Sequence, residues 1–259
     1  MSFQSFFRRF VRLAGTTGTA SEAADELWRI YHLGVVRIPT HKPRLTKEQP
    51  LRLHARSQEK WNAVVEEILS VHDLGRPVLV GVRSVESSRH LARLLSERGA
   101  EAELLNAERH AEEARIIARA GESGRITIAT NMAGRGTDIL LEETSRRLGG
   151  LHVIIAECNE SARIDRQLAG RCGRQGDPGS VAMIVSQEDG LLMRFGSMLE
   201  QNLVKIWPDQ FAFLASRVLS RWVRAAQKRA EAEAFARRKA VLQSDNWLQD
   251  ALPFGDSHG

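Results

Sequence analysis

The 259 residues hold only two cysteines, Cys158 and Cys172, with no C-x-x-C pair and no metal-ligand spacing around either. That excludes a disulfide-stapled secreted domain and a cysteine zinc site, and it fits a reducing cytosol. Long apolar runs are also missing. The longest, such as residues 151–156, falls far short of the roughly 20 residues a membrane span needs. The start is basic and aromatic (Phe3, Phe6, Phe7, Arg8, Arg9, Phe10), without the apolar core and small-residue cleavage site of a signal peptide. There is no internal repeat and no low-complexity segment. The phosphate-cradling motif G-x-x-x-x-G-K-[ST] occurs nowhere in these residues.

What is present is enough for a packed core. Hydrophobic residues make up 42% of the chain, outside the range of disordered sequences. The formal net charge of +5 suits an anionic partner: nucleotide, nucleic acid, acidic lipid or an acidic protein surface. Charge alone does not choose among them.

Hydrophobic spacing predicts a short amphipathic helix over residues 3–13, a loop over 15–20, a capped helix over 21–31 and a strand over 34–38. Residues 39–50 carry Pro39, Pro43 and Pro50, which predicts an extended connector. From residue 55 the pattern alternates. Solid apolar runs at 77–82, 103–105, 125–129, 151–156 and 181–186 read as buried strands. Helical spacing falls between them, at 61–72, 84–98, 108–120 and 161–171. Buried strands separated by helices predict a doubly wound parallel α/β domain, with ligands at the carboxyl ends of its strands. After about residue 189 the strands stop. Helices are expected over 191–203 and 210–242, the second carrying a long run of Arg and Lys, and a frayed tail over 251–259.

Two loops carry the chemistry. The first, N-M-A-G-R-G-T-D-I at residues 131–139, follows an apolar strand. Its glycines allow the backbone to approach phosphate oxygens, and Asp138 adds a carboxylate able to orient a water, a Mg²⁺ shell or a neighbouring arginine. The second, Q-L-A-G-R-C-G-R-Q-G-D at residues 167–177, places Arg171 and Arg174 three apart at a helix end, beside Gln167 and Gln175. Arginine suits a transferring phosphoryl group because its planar fork binds oxygens bidentately. A G-R-G triplet alone is often a plain turn, and two arginines on a helix are usually a solvated face. Their joint occurrence in one parallel sheet is what favours a nucleotide site. His152, between Leu151 and Val153, reads as a core histidine. Cys172 reads as a small spacer, since no base is paired with it.

These strings, together with L-A-G-T-T-G-T-A at 13–20 and G-G-L-H-V-I at 149–154, resemble the SecA family, the ATP-driven motors of bacterial protein export. The resemblance runs from about residue 3 to about residue 245. It implies that residues 1–54 are the end of a first nucleotide-binding lobe plus a connector, with Thr17, Gly18 and Thr19 as a coupling motif. Residues 55–195 would form the second, RecA-like lobe, and 196–259 the start of a helical scaffold and a tail. It further implies that Arg171 and Arg174 are arginine fingers. Gly134, Arg135, Asp138, Gln167 and Gln175 would face the nucleotide, and no residue here would ligate a metal directly. ATP and Mg²⁺ would be shared with a Walker-containing partner lobe. A SecYEG-type membrane channel and unfolded preproteins would be partners, at the cytoplasmic face of the plasma membrane. Anionic lipid is a further candidate partner; nucleic acid is not expected.

The sequence departs from the family pattern as well. Cys158, Asn159, Ala162 and Ala169 stand where the family usually has Arg, His, Arg and Arg, and Thr16 replaces the usual Met. The phosphate-binding Lys and Thr, the acidic Mg²⁺ pair and a cysteine-rich zinc tail have no counterpart in these residues. The expectation is a divergent form that is not an autonomous ATPase. Two rival readings stand beside it: a catalytically inactive regulatory or binding module, and the second lobe of a nucleic-acid helicase.

Overall fold

The computed structural model describes residues 2–105, 110–130, 137–197 and 212–251. The chain divides into two compact units, Met1–Pro39 with Lys228–Gly259, and Thr40–Gln227.

The larger unit is built on a seven-stranded sheet in which every pairing is parallel. Its strands are β1 (Leu45–Glu48), β2 (Arg52–His54), β3 (Val78–Val82), β4 (Glu103–Leu105), β5 (Ile126–Thr130), β6 (Leu151–Ile155) and β7 (Pro178–Ser186). The spatial order is β1-β7-β6-β3-β5-β4, with β2 also paired to β7. Helices α3 (Ser57–His72), α4 (Val85–Glu97), α5 (His110–Arg119), α6 (Glu143–Arg147) and α7 (Ala162–Ala169) connect the strands. Helix α8 (Gly190–Phe195) follows β7, and α9 (Ala212–Ala251) ends the described chain. This is a RecA-like, doubly wound α/β fold, followed by a helical segment.

The core shows why the strands read as continuous apolar runs. Val78, Val80 and Val82 of β3 face one side, with Trp61, Val64 and Ile68 of α3 and Leu91 and Leu95 of α4. Leu79 of β3 faces the other side, with Ile116 and Ile117 of α5, Leu151, Val153 and Ile155 of β6, and Leu168 of α7. Alternate residues of one strand thus serve two cores, so the strand reads as a continuous apolar run. Each fully buried Val, Leu or Ile contributes roughly 1.5–3 kcal/mol.

Two glycines set where elements meet. Gly150 has φ +71°, and a Cβ there would collide with the Pro178 carbonyl, so only glycine lets β6 start against β7. Gly81 in β3 leaves room for Leu168; a Cβ there would overlap its side chain. This is how α7 comes to lie close on the sheet.

Several expectations are revised. Residues 34–38 form no strand; Val36 and Ile38 are 85% and 82% exposed, so the apolar run has no sheet to join. The proline-bearing connector is extended, but its Leu45–Glu48 stretch pairs with the first half of β7, and Arg52–His54 pairs with the second half. Residues placed before the lobe by sequence are therefore strands of its sheet. The helix over 3–13 shrinks to α1, Phe3–Phe7, where Phe6 and Phe7 stack edge to face at 5.3 Å. Helix α6 was not foreseen, because five residues carry no periodic signal.

In the smaller unit, Ser21–Ala23 form a 3-10 turn that leads into α2 (Ala24–Tyr31). Arg238 of α9 donates to both carboxylate oxygens of Glu26, each at 2.7 Å. Burial and the neighbouring Glu26 raise the Tyr31 phenol above its ordinary value. Among the described residues no helix is long and apolar enough to cross a membrane.

Candidate functional site

Helix α7 ends at Ala169 and Gly170, and the chain then runs through Arg171–Asp177 into β7. Three residues of that connection have left-handed backbone: Gly173 (φ 65°), Gln175 (φ 54°) and Gly176 (φ 86°). The tight turn folds the loop back on itself and points the arginines at the segment that follows β5. Arg171 Nη1 donates to the Thr137 carbonyl at 2.9 Å. Arg174 Nη1 donates to Asp138 Oδ1 at 2.7 Å, and its Nε to the Gly170 carbonyl at 2.8 Å. Gln175 Nε2 reaches Asp138 Oδ2 at 3.2 Å. Of the three uses foreseen for Asp138, orienting a neighbouring arginine is the one seen.

The two sequence loops therefore meet through side chains. Arg171, Arg174, Gln175 and Asp138 come together. Gln167 is half-buried on α7. Gly134 and Arg135 lie outside the described residues. Thr17, Gly18 and Thr19 belong to the smaller unit, where the Thr19 amide donates to Thr17 Oγ1 at 3.3 Å. The arginine pair lies in the connection that enters β7, not in one that leaves a strand as the doubly wound rule suggests.

The connector supplies residues that sequence reading overlooked. Arg44 Nη2 donates to the Ala169 carbonyl at 3.2 Å. A Cβ at Gly173 would collide with Thr46 Oγ1, and one at Gly176 would lie 3.0 Å from Lys42 Cδ. Lys42, Arg44, Arg171 and Arg174 thus bring four cationic side chains to one loop. The signal was present as the basic run around Pro43, but nothing in the sequence said which loop it would cover. Such a cluster suits the outer phosphates of ATP. It does not by itself suit Mg²⁺: Asp138 is committed to Arg174, and among the described residues no group of three His, Cys, Asp or Glu could hold a metal.

Behind the loop lies a set of buried and half-buried polar groups. His152 is fully buried, with Nδ1 2.7 Å from Ser180 Oγ and Nε2 3.1 Å from Glu67 Oε1. The contact with His152, then those with Gln49 and Arg52, hold the Glu67 carboxyl down at about 2 against burial. Arg76 Nη2 donates to Ser180 Oγ at 2.8 Å and to the Gly149 carbonyl at 3.0 Å. Cys172 is buried, and its thiol donates to the Ala169 carbonyl at 3.3 Å. Burial pushes the pKa of the thiol up and so disfavours the thiolate, which makes it a poor nucleophile.

A second buried cluster was not foreseen. Asp165, in the first turns of α7, accepts from the Asn159 amide (3.0 Å) and Asn159 Nδ2 (2.7 Å) on Oδ1, and from Gln227 Nε2 (2.7 Å) on Oδ2. Burial raises its carboxyl to about 6, against these donors and the more distant Arg83. Below pH about 4 the carboxyl is protonated in both folded and unfolded chain. Between about 4 and 6 only the folded state keeps the proton, so stability falls as pH rises; above 6 the loss is complete. The shift from 3.8 to about 6 corresponds to roughly 3 kcal/mol. We expect the stability difference between the native chain and Asp165→Asn to shrink by about that amount from pH 4 to pH 7. Urea titrations at the two pH values measure it, and a pH-independent difference would refute the assignment.

A profile of the SecA P-loop domain matches residues 43–148 and 142–207, well over half of the chain. The chain belongs to the SecA family. It is 59% identical over 254 residues to protein translocase subunit SecA 2 of Magnetococcus marinus, covering 98% of this chain and 39% of that protein. It is 47% identical over 247 residues to protein translocase subunit SecA of Oleidesulfovibrio alaskensis, covering 95% and 29% respectively. The chain thus spans well under half the length of these SecA relatives. A looser likeness joins it to the E. coli DEAD-box protein SrmB, with TM-score 0.45, 24% identity, and coverage of 59% of this chain and 83% of that one. Against the usual SecA pattern, Cys158 and Asn159 occupy buried positions, and Asn159 serves the Asp165 cluster.

Proposed function

We propose that this chain supplies the second nucleotide-binding lobe of a protein-translocating ATPase. In this reading Arg171 and Arg174 place positive charge on the terminal phosphate of an ATP held mainly by another lobe. ATP when bound supplies the phosphoryl group that is transferred to water. Asp138, Gln167 and Gln175 face the same nucleotide, a role the family resemblance extends to Gly134 and Arg135, with Asp138 holding Arg174 until substrate arrives. Thr17, Gly18 and Thr19 form a coupling motif, the sheet domain begins with the Leu45–Glu48 strand and runs to about residue 195, and the residues after it begin the scaffold. Mg²⁺ is bound by the partner lobe. The motor acts with a SecYEG-type channel on unfolded preproteins at the inner face of the plasma membrane. One observation carries the reading: both arginines are joined, through Thr137 and Asp138, to the exit of the glycine-rich loop.

The test is complementation. The 259-residue chain alone should release phosphate from ATP at a rate indistinguishable from buffer, because these residues include no phosphate-cradling loop. Addition of a Walker-containing lobe from a SecA-family protein should restore turnover. Motor-like turnover by the chain alone, freed of contaminants, refutes the division of labour. Absent turnover in the mixture favours the inactive module. Tight, salt-dependent binding of single-stranded RNA or DNA favours the helicase lobe.

A further inference from the structure

The helix that carries the arginine pair is held at two points. On the sheet side, Leu168 fits over Gly81 of β3. On the other side, Asp165 is held by Asn159 and by Gln227 of α9. Gln227 Nε2 also donates to the Asn159 carbonyl at 3.0 Å. All three side chains belong to residues that are 4% exposed. Arg171 follows Asp165 by six residues, about one and a half helical turns.

Gln227 is an unexpected residue at its position. Its neighbours on the same face of α9 are Trp222, Val223, Ala226 and Ala230, each 2% exposed or less. An apolar side chain would fill that stripe without the risk of an unpaired amide, which costs about 1–3 kcal/mol when buried. A polar contact adds a unique register instead. Slip of α9 by one turn in one direction would set Val223 against Asp165 and leave its acceptors unfilled. Slip in the other direction would set Glu231 there, carboxylate against carboxyl.

We propose that Gln227 is a positioning residue through which α9 sets the placement of α7, and with it Arg171 and Arg174. The Asn159–Asp165–Gln227 cluster is the coupling point between the long helix and the arginine loop, and the catalytic meaning of that coupling rests on the function proposed above. A displacement of α9 breaks the Gln227 contact, frees α7 on its outer side and withdraws the arginines. Conversely, a ligand that fixes the arginines steadies α9 at Gln227.

Hydrogen exchange on the whole 259-residue chain tests this without any assay of turnover. Gln227→Leu keeps the bulk and removes the amide. It should speed exchange over residues 162–177 by roughly tenfold or more, while β3, β5 and β6 stay within about twofold of the native chain. With a Walker-containing lobe added, a non-hydrolysable ATP analogue as probe should slow exchange over both 166–177 and 222–227 in the native chain; in Gln227→Leu it should slow the first alone. Equal acceleration across the strands, or none over 162–177, overturns the proposal. So does analogue protection of 166–177 that leaves 222–227 unchanged in the native chain. If the analogue protects neither segment of the mixture, the nucleotide reading fails while the ligand-free comparison still decides the coupling. Gln227→Asn, too short by one methylene to reach Asp165, should reproduce the pattern, and is decisive should Gln227→Leu not fold.

Discussion

Replacing Arg174 with alanine lowers the ATP turnover of the chain mixed with a Walker-containing lobe by at least about tenfold, and the fold barely notices. The two halves of that expectation come from one geometry. Arg174 and Asp138 have side chains that are each 38% exposed. A half-exposed ion pair contributes at most about 1 kcal/mol to folding. Charge aimed at a transferring phosphoryl group acts where water is excluded and lowers the barrier by several kcal/mol. Arg171→Ala should behave alike: its guanidinium is half-exposed and donates to the Thr137 carbonyl, a neutral acceptor, so folding should lose little. Lysine at either site should restore only part of the rate, since it keeps the charge and loses the fork. Asp138→Asn should leave stability unchanged within about 1 kcal/mol and alter turnover less than Arg174→Ala, if its task is to hold the arginine rather than the phosphate. Phosphate release by the mixture, with urea denaturation of each variant, measures both halves. Turnover indifferent to both arginines would leave the family membership intact and remove the catalytic role assigned to them.

Much of this was legible in the chain because β3, β5, β6 and β7 are buried on both faces. A run such as Val78–Val82 has few other uses, and the helices between such runs announce a parallel sheet. The arginine loop stood out for a different reason: two arginines three apart among several glycines follow a helix, and the left-handed turns at Gly173 and Gly176 bring them back against Thr137 and Asp138. What escaped were contacts that depend on partners far along the chain. Arg52–His54 looked like connector because three residues show no period, yet β7 offers them an edge. Lys42 and Arg44 looked like any basic run; only the return of residues 170–177 gave them a neighbour. Gln227 lay in a stretch rich in Ala, Arg and Glu, where one buried amide among exposed charges has no signature. Asp165 looked like an ordinary first-turn acid until its burial was seen.

The largest effect on stability is expected away from the arginine loop, at Lys60. Its ammonium is 2.7 Å from Asp189 Oδ1, with side chains 1% and 7% exposed, and it lies 4.1 Å above the Trp61 ring. Asp189 also accepts from the Ser186 amide at 3.0 Å and the Ser186 hydroxyl at 2.8 Å, so the pair ties α3 to the end of β7 and the start of α8. Two charges out of water are stable only together. Lys60→Met fills the same space and strands the carboxylate, which should cost about 3–5 kcal/mol, less whatever the Ser186 bonds still hold. Lys60→Met combined with Asp189→Leu removes both charges and should recover most of the loss, because well-packed apolar pairs often match a buried ion pair. No pattern of residues warned of this: a lysine at the start of a surface helix is normally solvated. Guanidinium titrations of the native chain, the single and the double variant decide the matter. A single variant that loses under about 1 kcal/mol would show that water reaches the pair and that α3 is anchored by its apolar face alone.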